Sequence, residues 1–549
     1  MKMSRGFYFA SAIGMLFIGC FFAVSGDRGV TGNSGSYDDL VALFKEWREF
    51  QKPGVVDGVP DYSPAAMKEQ REKLPAFQKR LADIDCRRWP VAEQIDYHSV
   101  RAEMNGLEFD HRVLRPWSRM PNFYVSVTAS EHDVPLREGP EIYGALDLWK
   151  HDFPLGEKEQ AEFRAKLRAV PGILAQGKKN LVEETKDLWT LGLPVIRDES
   201  GILERLAGQL AKHHPDIVPE AERAKAAVDE FLTWAENKEK AMKASPCGVG
   251  VENFDWSMKN VHLVPYDWKE QVAILEREWE RSVASLKLEE HRNRRLPKLS
   301  PPATEEEARR RYNEAVDEFM RFLREEPVFT VPDYLRLDYF RGGFAPPDAR
   351  RDFFARVESL DSLPMKCHSM HWLDKQLMAN DPHPSPIRRV PLLYNIWDSR
   401  AEGLATAMEE LMMQAGLLDK RPRAKELVYM LVAMRCARAM GDLMMHANEW
   451  DLDQAKQYAV ERTPYGWLLP DGGTIWTDLR IYLQQPGYGT SYVVGKIQID
   501  ELMADRAGQM GGEFTLQKFM DAFLGCGMIP VSLSRWQMTG LDDEIKKLW

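Results

Sequence analysis

The chain has 549 residues, 44% of them apolar, enough for one very large core or several ordinary ones. Its 73 basic and 84 acidic residues leave a net charge of -11, with both signs mixed along the same segments. Binding to nucleic acid needs a basic patch or stripe, so nucleic acid is excluded as a partner.

At the N-terminus, Lys2 and Arg5 precede an apolar run from Phe7 to Val24, the order of a secretory signal. Two processing sites compete within residues 1–25. Ala23-Val24-Ser25 offers small side chains for cleavage before Gly26, and Phe17-Ile18-Gly19-Cys20 is an imperfect lipobox that would put a lipid on Cys20. An uncleaved anchor is the third option, because the run is close to the lower length limit for a spanning helix. Each places the protein outside the cytoplasm: periplasmic, anchored to the outer membrane or extracellular. Contact with a membrane is expected only through such an anchor.

Residues 26–40 are Gly/Ser-rich and read as a polar tether. Beyond them helical periodicity dominates, as at Ala161–Val170, Ala221–Ala241, Trp268–Leu288, Glu305–Arg324 and Ala401–Ala415. Pro and Gly clusters at Pro53–Pro64, Ser245–Gly250, Pro297–Pro302, Gly342–Pro347 and Pro382–Pro386 break the pattern. The longest break, Pro327–Pro347, divides an N-terminal helical lobe, 41–330, from a C-terminal helical lobe, 331–549. The expected fold is mainly α, a large two-lobed body around a deep cleft. Cysteines 86, 247, 367, 436 and 526 are odd in number, widely spaced and without a CxxC pair, which points to buried thiols with at most one or two bridges.

Four stretches after residue 360 concentrate reactive side chains. In Cys367-His368-Ser369-Met370-His371, a helix would put both histidines on one face, where they could share a metal or clamp an anion. Glu402 and Glu409 lie two turns apart on an otherwise apolar face, and each needs either a partner such as Arg435 or Arg438, or a function. Arg438, Asp442 and His446 recur at i, i+4 and i+8 in a Met-rich helix. An Asp–His pair of that kind fixes the imidazole tautomer and raises its basicity, suiting a general base or a metal ligand; a buried structural network accounts for it equally. Finally, a helix carrying Tyr482 is read to stop at Pro486-Gly487, after which a glycine-spaced turn presents Tyr488, Tyr492 and Lys496.

In order and spacing these stretches resemble the DUF885 family, bacterial proteins regarded as zinc-peptidase-like, and the resemblance extends over nearly all of the chain after the tether. It rests on Leu81–Asp85 with Asp96-Tyr97, Leu167–Leu174 through Asn180-Leu181, Arg438…Asp442…His446…Trp450, Pro486-Gly487…Tyr492…Gly495 and Phe519…Asp521…Gly527…Pro530. The resemblance implies a metallopeptidase-like helical fold with a His-Glu-x-x-Pro-Gly-His motif and a later Glu-Gly-Trp. Here Met365 and Lys366 stand for the motif's first histidine and glutamate, and only its last histidine, His371, is kept. Glu402-Gly403-Leu404 keeps two of the three later residues; Tyr488, Ile481 and Met520 replace a glutamine, an arginine and a histidine.

A zinc peptidase needs a metal and a carboxylate that shuttles the proton. With that motif lost, the expected site has no metal ligand and no cofactor. His446, Asp442, Arg438, Tyr492, Tyr482 and His371 would be catalytic, and Glu402, Glu409, Tyr488 and Lys496 would bind substrate. The expected function is a metal-independent activity in a remodelled site, such as a lyase on acidic polysaccharide. The alternatives are a binding protein for peptides or oligosaccharides, and a zinc peptidase rebuilt on His368, His371, Glu402 and His446.

Overall fold

The computed structural model describes residues 35–549, so the export segment and most of the tether lie outside the described residues. The fold is mainly helical, as expected; among the described residues the strands form two minimal sheets, Val55–Val56 with Val59–Pro60 and Val127–Thr128 with Leu146–Asp147. No described helix is long and apolar enough to cross a membrane.

The helices that position the site and its surroundings are α1 (Val91–Phe109), α2 (Glu157–Asn180), α3 (Lys186–His213), α4 (Val218–Ala241) and α5 (Trp268–Arg292), followed by α6 (Leu363–His368), α7 (Met370–Asn380), α8 (Asp398–Gln414), α9 (Ala424–His446), α10 (Gly473–Gln484) and α11 (Tyr488–Met510). Their starts follow local chemistry. Asp267 caps α5 by accepting from the Glu270 amide, while the Glu270 side chain accepts from the Asp267 amide, so two orphan donors are satisfied reciprocally. Helix α4 packs against both α2 and α3.

Helix α9 differs from the amphipathic helices in being buried on nearly every side, the signature of a helix at the centre of a large core. It packs on α5, α10 and α11, so helices from both sides of residue 330 share its surface. One cluster of buried apolar side chains accordingly runs from Leu40 to Leu548. Segment 327–352 has only short 3₁₀ turns, as its Pro and Gly content predicts. All five cysteines of the described residues are buried and free, so none of the allowed bridges forms there.

Helices α8 and α11 come close together where Gly403 faces Gly495. A Cβ on Gly403 would meet the Gly495 carbonyl carbon at 2.6 Å, and one on Gly495 would meet the Ser399 carbonyl oxygen at 2.1 Å. Only hydrogen side chains allow the two backbones this close. The glycine spacing after Pro486 therefore serves helix packing, and the expected turn is corrected. Gly487 alone takes a left-handed conformation, φ 85°, and Tyr488, Tyr492 and Lys496 follow it on successive turns of α11.

Candidate functional site

Because α8 and α11 touch, Glu402 lies beside Tyr488. The Tyr488 hydroxyl donates to Glu402 Oε1 at 2.6 Å and is 3.2 Å from Glu138 Oε1. Tyr492, one turn later, donates to the Tyr488 oxygen at 3.2 Å. The other Glu402 oxygen is 3.1 Å from His371 Nε2. Burial works against charge on both groups, but their mutual attraction prevails: His371 rises to about 9 and Glu402 falls below the usual carboxylate range.

The two histidines do not share one unbroken helix. The chain breaks at Ser369 between α6 and α7, yet the rings remain 5.0 Å apart at 84°. His368 Nδ1 is 3.0 Å from Glu409 Oε1 and 3.3 Å from Arg435 Nη2; the shorter approach puts the ring proton toward the carboxylate. Arg435 in turn holds Glu409 with two bonds of 2.6 Å. Glu402 and Glu409, on one face of α8, thus have different partners. Glu402 meets a histidine and a tyrosine, while Glu409 is neutralised by arginine behind the other histidine.

One donor atom from each of His368, His371 and Glu402 lies within 4.8 Å of the others. Two imidazoles and one carboxylate are the donor set of a catalytic zinc site, which keeps a position open. Glu409 behind His368 matches the carboxylate that usually holds a metal-bound histidine, and it leaves the opposite nitrogen, Nε2, available. On these observations the residues fit a divalent metal ion.

The loop between the two strands of the Val127/Leu146 sheet adds groups that sequence reading missed. Its base is fixed by Glu199 of α3, which accepts from the amides of Ser126 and Val127 at 2.8 and 2.9 Å. Farther along, the Gly139 amide donates to Gln485 at 2.7 Å, and Asn395 donates to the Arg137 carbonyl at 3.1 Å. These contacts bring Glu138 to Tyr488. Burial raises the Glu138 carboxyl, but the hydrogen bond from His132 outweighs it and lowers the group overall. Asp133 of the same loop acts electrostatically on both His371 and Glu402. The available signal was His132, Asp133 and Glu138 within seven residues that lack helical periodicity.

The Arg438–Asp442–His446 stripe forms as one face of α9, with His446 Nε2 3.5 Å from Asp442 Oδ1, but its hydrogen bonds go to other partners. Arg438 is ion-paired to Asp478 and lies 4.8 Å from the Tyr492 ring, so it flanks the cluster from behind. Asp442 accepts from the amides of Gly487, Gly489 and Thr490, securing the start of α11. His446 is hydrogen-bonded to the Tyr482 carbonyl at 2.9 Å and the Val249 amide at 3.4 Å. Its tautomer is fixed, yet its basicity drops: burial lowers it to about 4 and raises Asp442 to about 8. The expected gain in basicity is corrected, because burial leaves both members uncharged at neutral pH. Lys496 pairs with Asp500 at 2.5 Å and Glu410 at 3.4 Å, and the Tyr482 hydroxyl is buried without a partner.

The site from His371 onward lies within a match to a known family. Residues 371–538 match the family model described as bacterial protein of unknown function, DUF885. The match covers under a third of the chain. It includes Glu402, Glu409 and the three tyrosines, and it leaves out His368 and the Glu138 loop. No curated protein matches the chain. A structure from Shewanella oneidensis, described as a lipoprotein of unknown function, superposes with a TM-score of 0.68 over 92% of this chain and 100% of its own, at 14% identity. Another such lipoprotein, from Colwellia psychrerythraea, gives 0.63 over 92% and 99%, at 12% identity. The matched segment is therefore one part of a fold that these proteins share nearly end to end.

Proposed function

We propose that this protein is an exported hydrolase, acting on peptides, whose site takes one divalent metal ion, zinc foremost, on His368, His371 and Glu402. The observation that carries the reading is the convergence of those three donors within 4.8 Å, with Glu409 behind His368. A bound zinc would supply a Lewis acid and acidify a water at the site. Glu138, ionised at neutral pH and held by His132, would be the carboxylate positioned to take up a proton there. Tyr488, between Glu138 and Glu402, fixes the spacing of the two carboxylates, and the Tyr492 hydroxyl, which donates to Tyr488, would have to turn from it to donate to an oxygen of the substrate. Lys366 does not occupy that proton-accepting role. It pairs with Glu358 at 3.1 Å and lies 3.7 Å from the Tyr312 ring.

The metal-independent reading is the second one, and the direct His371–Glu402 ion pair favours it, since the pair is satisfied without a cation. Acidic polysaccharide suits the site less than peptide does, because Asp133, Glu138 and Glu402 would repel a uronate. Metal content of the purified chain, by mass spectrometry before and after chelation, decides between these readings. The expected result is about one zinc per chain; an apo protein that ignores added zinc sinks the metal reading.

Export through residues 1–25 is part of the same proposal, with Cys20 as the lipid-bearing residue. The lipobox-like Phe17–Cys20 run and the lipoproteins that share the fold support it. Labelled palmitate should enter the wild-type chain and not Cys20→Ala; label retained by the variant removes this assignment.

A further inference from the structure

The Val127/Leu146 loop also lines a cavity of about 580 Å³. Gln485 and Gly139, which help to hold that loop, line it, whereas His368, His371, Glu402 and Tyr488 do not. Its walls include Tyr62, Trp117, Phe123 and Tyr394. Tyr62 stands edge-on to Phe123 at 4.9 Å and stacks on Trp117 at 6.5 Å, while Tyr394 lies so close to Gly106 of α1 that a Cβ there would be 2.3 Å from its ring. These contacts hold an aromatic wall in place without any ligand.

Most ionised side chains that line the cavity have partners within the protein. Arg137 pairs with Glu141 at 2.9 Å, Lys150 with Asp147 at 2.7 Å and Lys166 with Glu162 at 3.0 Å. The remaining acid is Asp110, at the π turn Asp110–Leu114 that follows α1. Its carboxylate has no ion pair and no side-chain hydrogen bond among the described residues. Asp110 is half-buried in the cavity wall, where a carboxylate with neither is disfavoured, and its partial withdrawal from water pushes it up to about 7. A cation entering the cavity would find the one acid that the protein leaves uncompensated, beside aromatic faces that also attract positive charge.

We propose that this cavity is a binding site for an organic cation, an amine on an apolar body, with Asp110 as its counter-ion. The site is separate from the histidine cluster and does not depend on its metal.

The test is calorimetry on the mature chain near pH 8 with three probes of one shape: 2-phenylethylamine, 2-phenylethanol and phenylacetate. The amine should bind at least about tenfold more tightly than the alcohol, and phenylacetate should not bind; tenfold is the scale of one charged contact. Asp110→Asn should reduce the amine to the level of the alcohol, while Glu402→Gln should leave amine binding unchanged. An amine that binds no better than the alcohol overturns the proposal, even if Asp110→Asn does not fold. So does amine binding that survives Asp110→Asn or disappears in Glu402→Gln.

Discussion

At the scale of the residue, the pairing of His371 with Glu402 decides how the site responds to pH. In the metal-free chain His371 titrates near 9 when folded and near 6.5 when unfolded. A group whose folded value is raised contributes stability that is complete below the unfolded value and is lost as pH rises through the folded one. The chelated protein should therefore lose melting temperature between about pH 6.5 and 9. Glu402→Gln removes the charge that raises His371, so the variant's decline over that window should be smaller. Thermal melts of both proteins at a series of pH values check this, and parallel curves would separate His371 from Glu402. The same variant should retain at least about tenfold less zinc, the usual effect of disturbing a metal site's ligands or the groups behind them.

The tertiary setting of the helices decided which single residues could be read in advance. His371, Glu402, Tyr488 and Tyr492 were legible because each stands out chemically within a helical pattern. Glu138 was not, since it reaches Tyr488 only by a loop 350 residues away in sequence. The Arg438, Asp442 and His446 stripe was legible as a face of α9, but its burial was not, and burial makes His446 a weak base.

At the scale of the element, the α8–α11 contact sets the position of Glu402 against Tyr488. Gly495→Ala would place a methyl group 2.1 Å from the Ser399 carbonyl oxygen, backbone that cannot turn aside as a side chain could. Overpacking of a core costs about 1–3 kcal/mol, and a clash with backbone belongs at or above the upper end. Gly208, in α3, meets nothing within 4 Å at its Cβ position. Gly208→Ala should instead stabilise by about 0.5–1 kcal/mol through helix propensity and a less flexible unfolded chain. Chemical denaturation of the two variants should move the midpoints in opposite directions. A tolerated Gly495→Ala would mean that the helices can separate, and with them Glu402 and Tyr488. Sequence periodicity located both helices, but it gave no sign that Gly403 and Gly495 face each other, because that depends on a crossing between segments far apart in the chain.

At the scale of the whole molecule, the mainly α class was legible from periodicity alone, and the breaks fell where Pro and Gly cluster. The division at Pro327–Pro347 is a statement about cooperativity, which sequence punctuation cannot decide. Helix α9 bears on it directly. It belongs to the stretch after residue 330, yet its buried surface is covered in part by α5, from the stretch before. Polar contacts cross the same seam: Arg281 of α5 forms two 2.8 Å bonds with Glu410 of α8, and the Trp268 indole donates to the Leu443 carbonyl at 2.9 Å. Removing residues 35–330 would expose that face of α9 and also take away Glu138 from the site. Burial of apolar area is the main favourable contribution to folding, so a fragment of residues 331–549 should be aggregated or molten. Near-ultraviolet circular dichroism and dye binding of the isolated fragment measure this. The full chain should unfold in one transition, coincident by near- and far-ultraviolet signals. A fragment that folds cooperatively by itself would establish the Pro327–Pro347 break as a domain boundary, and would make the α5–α9 contact an interface between domains rather than a core.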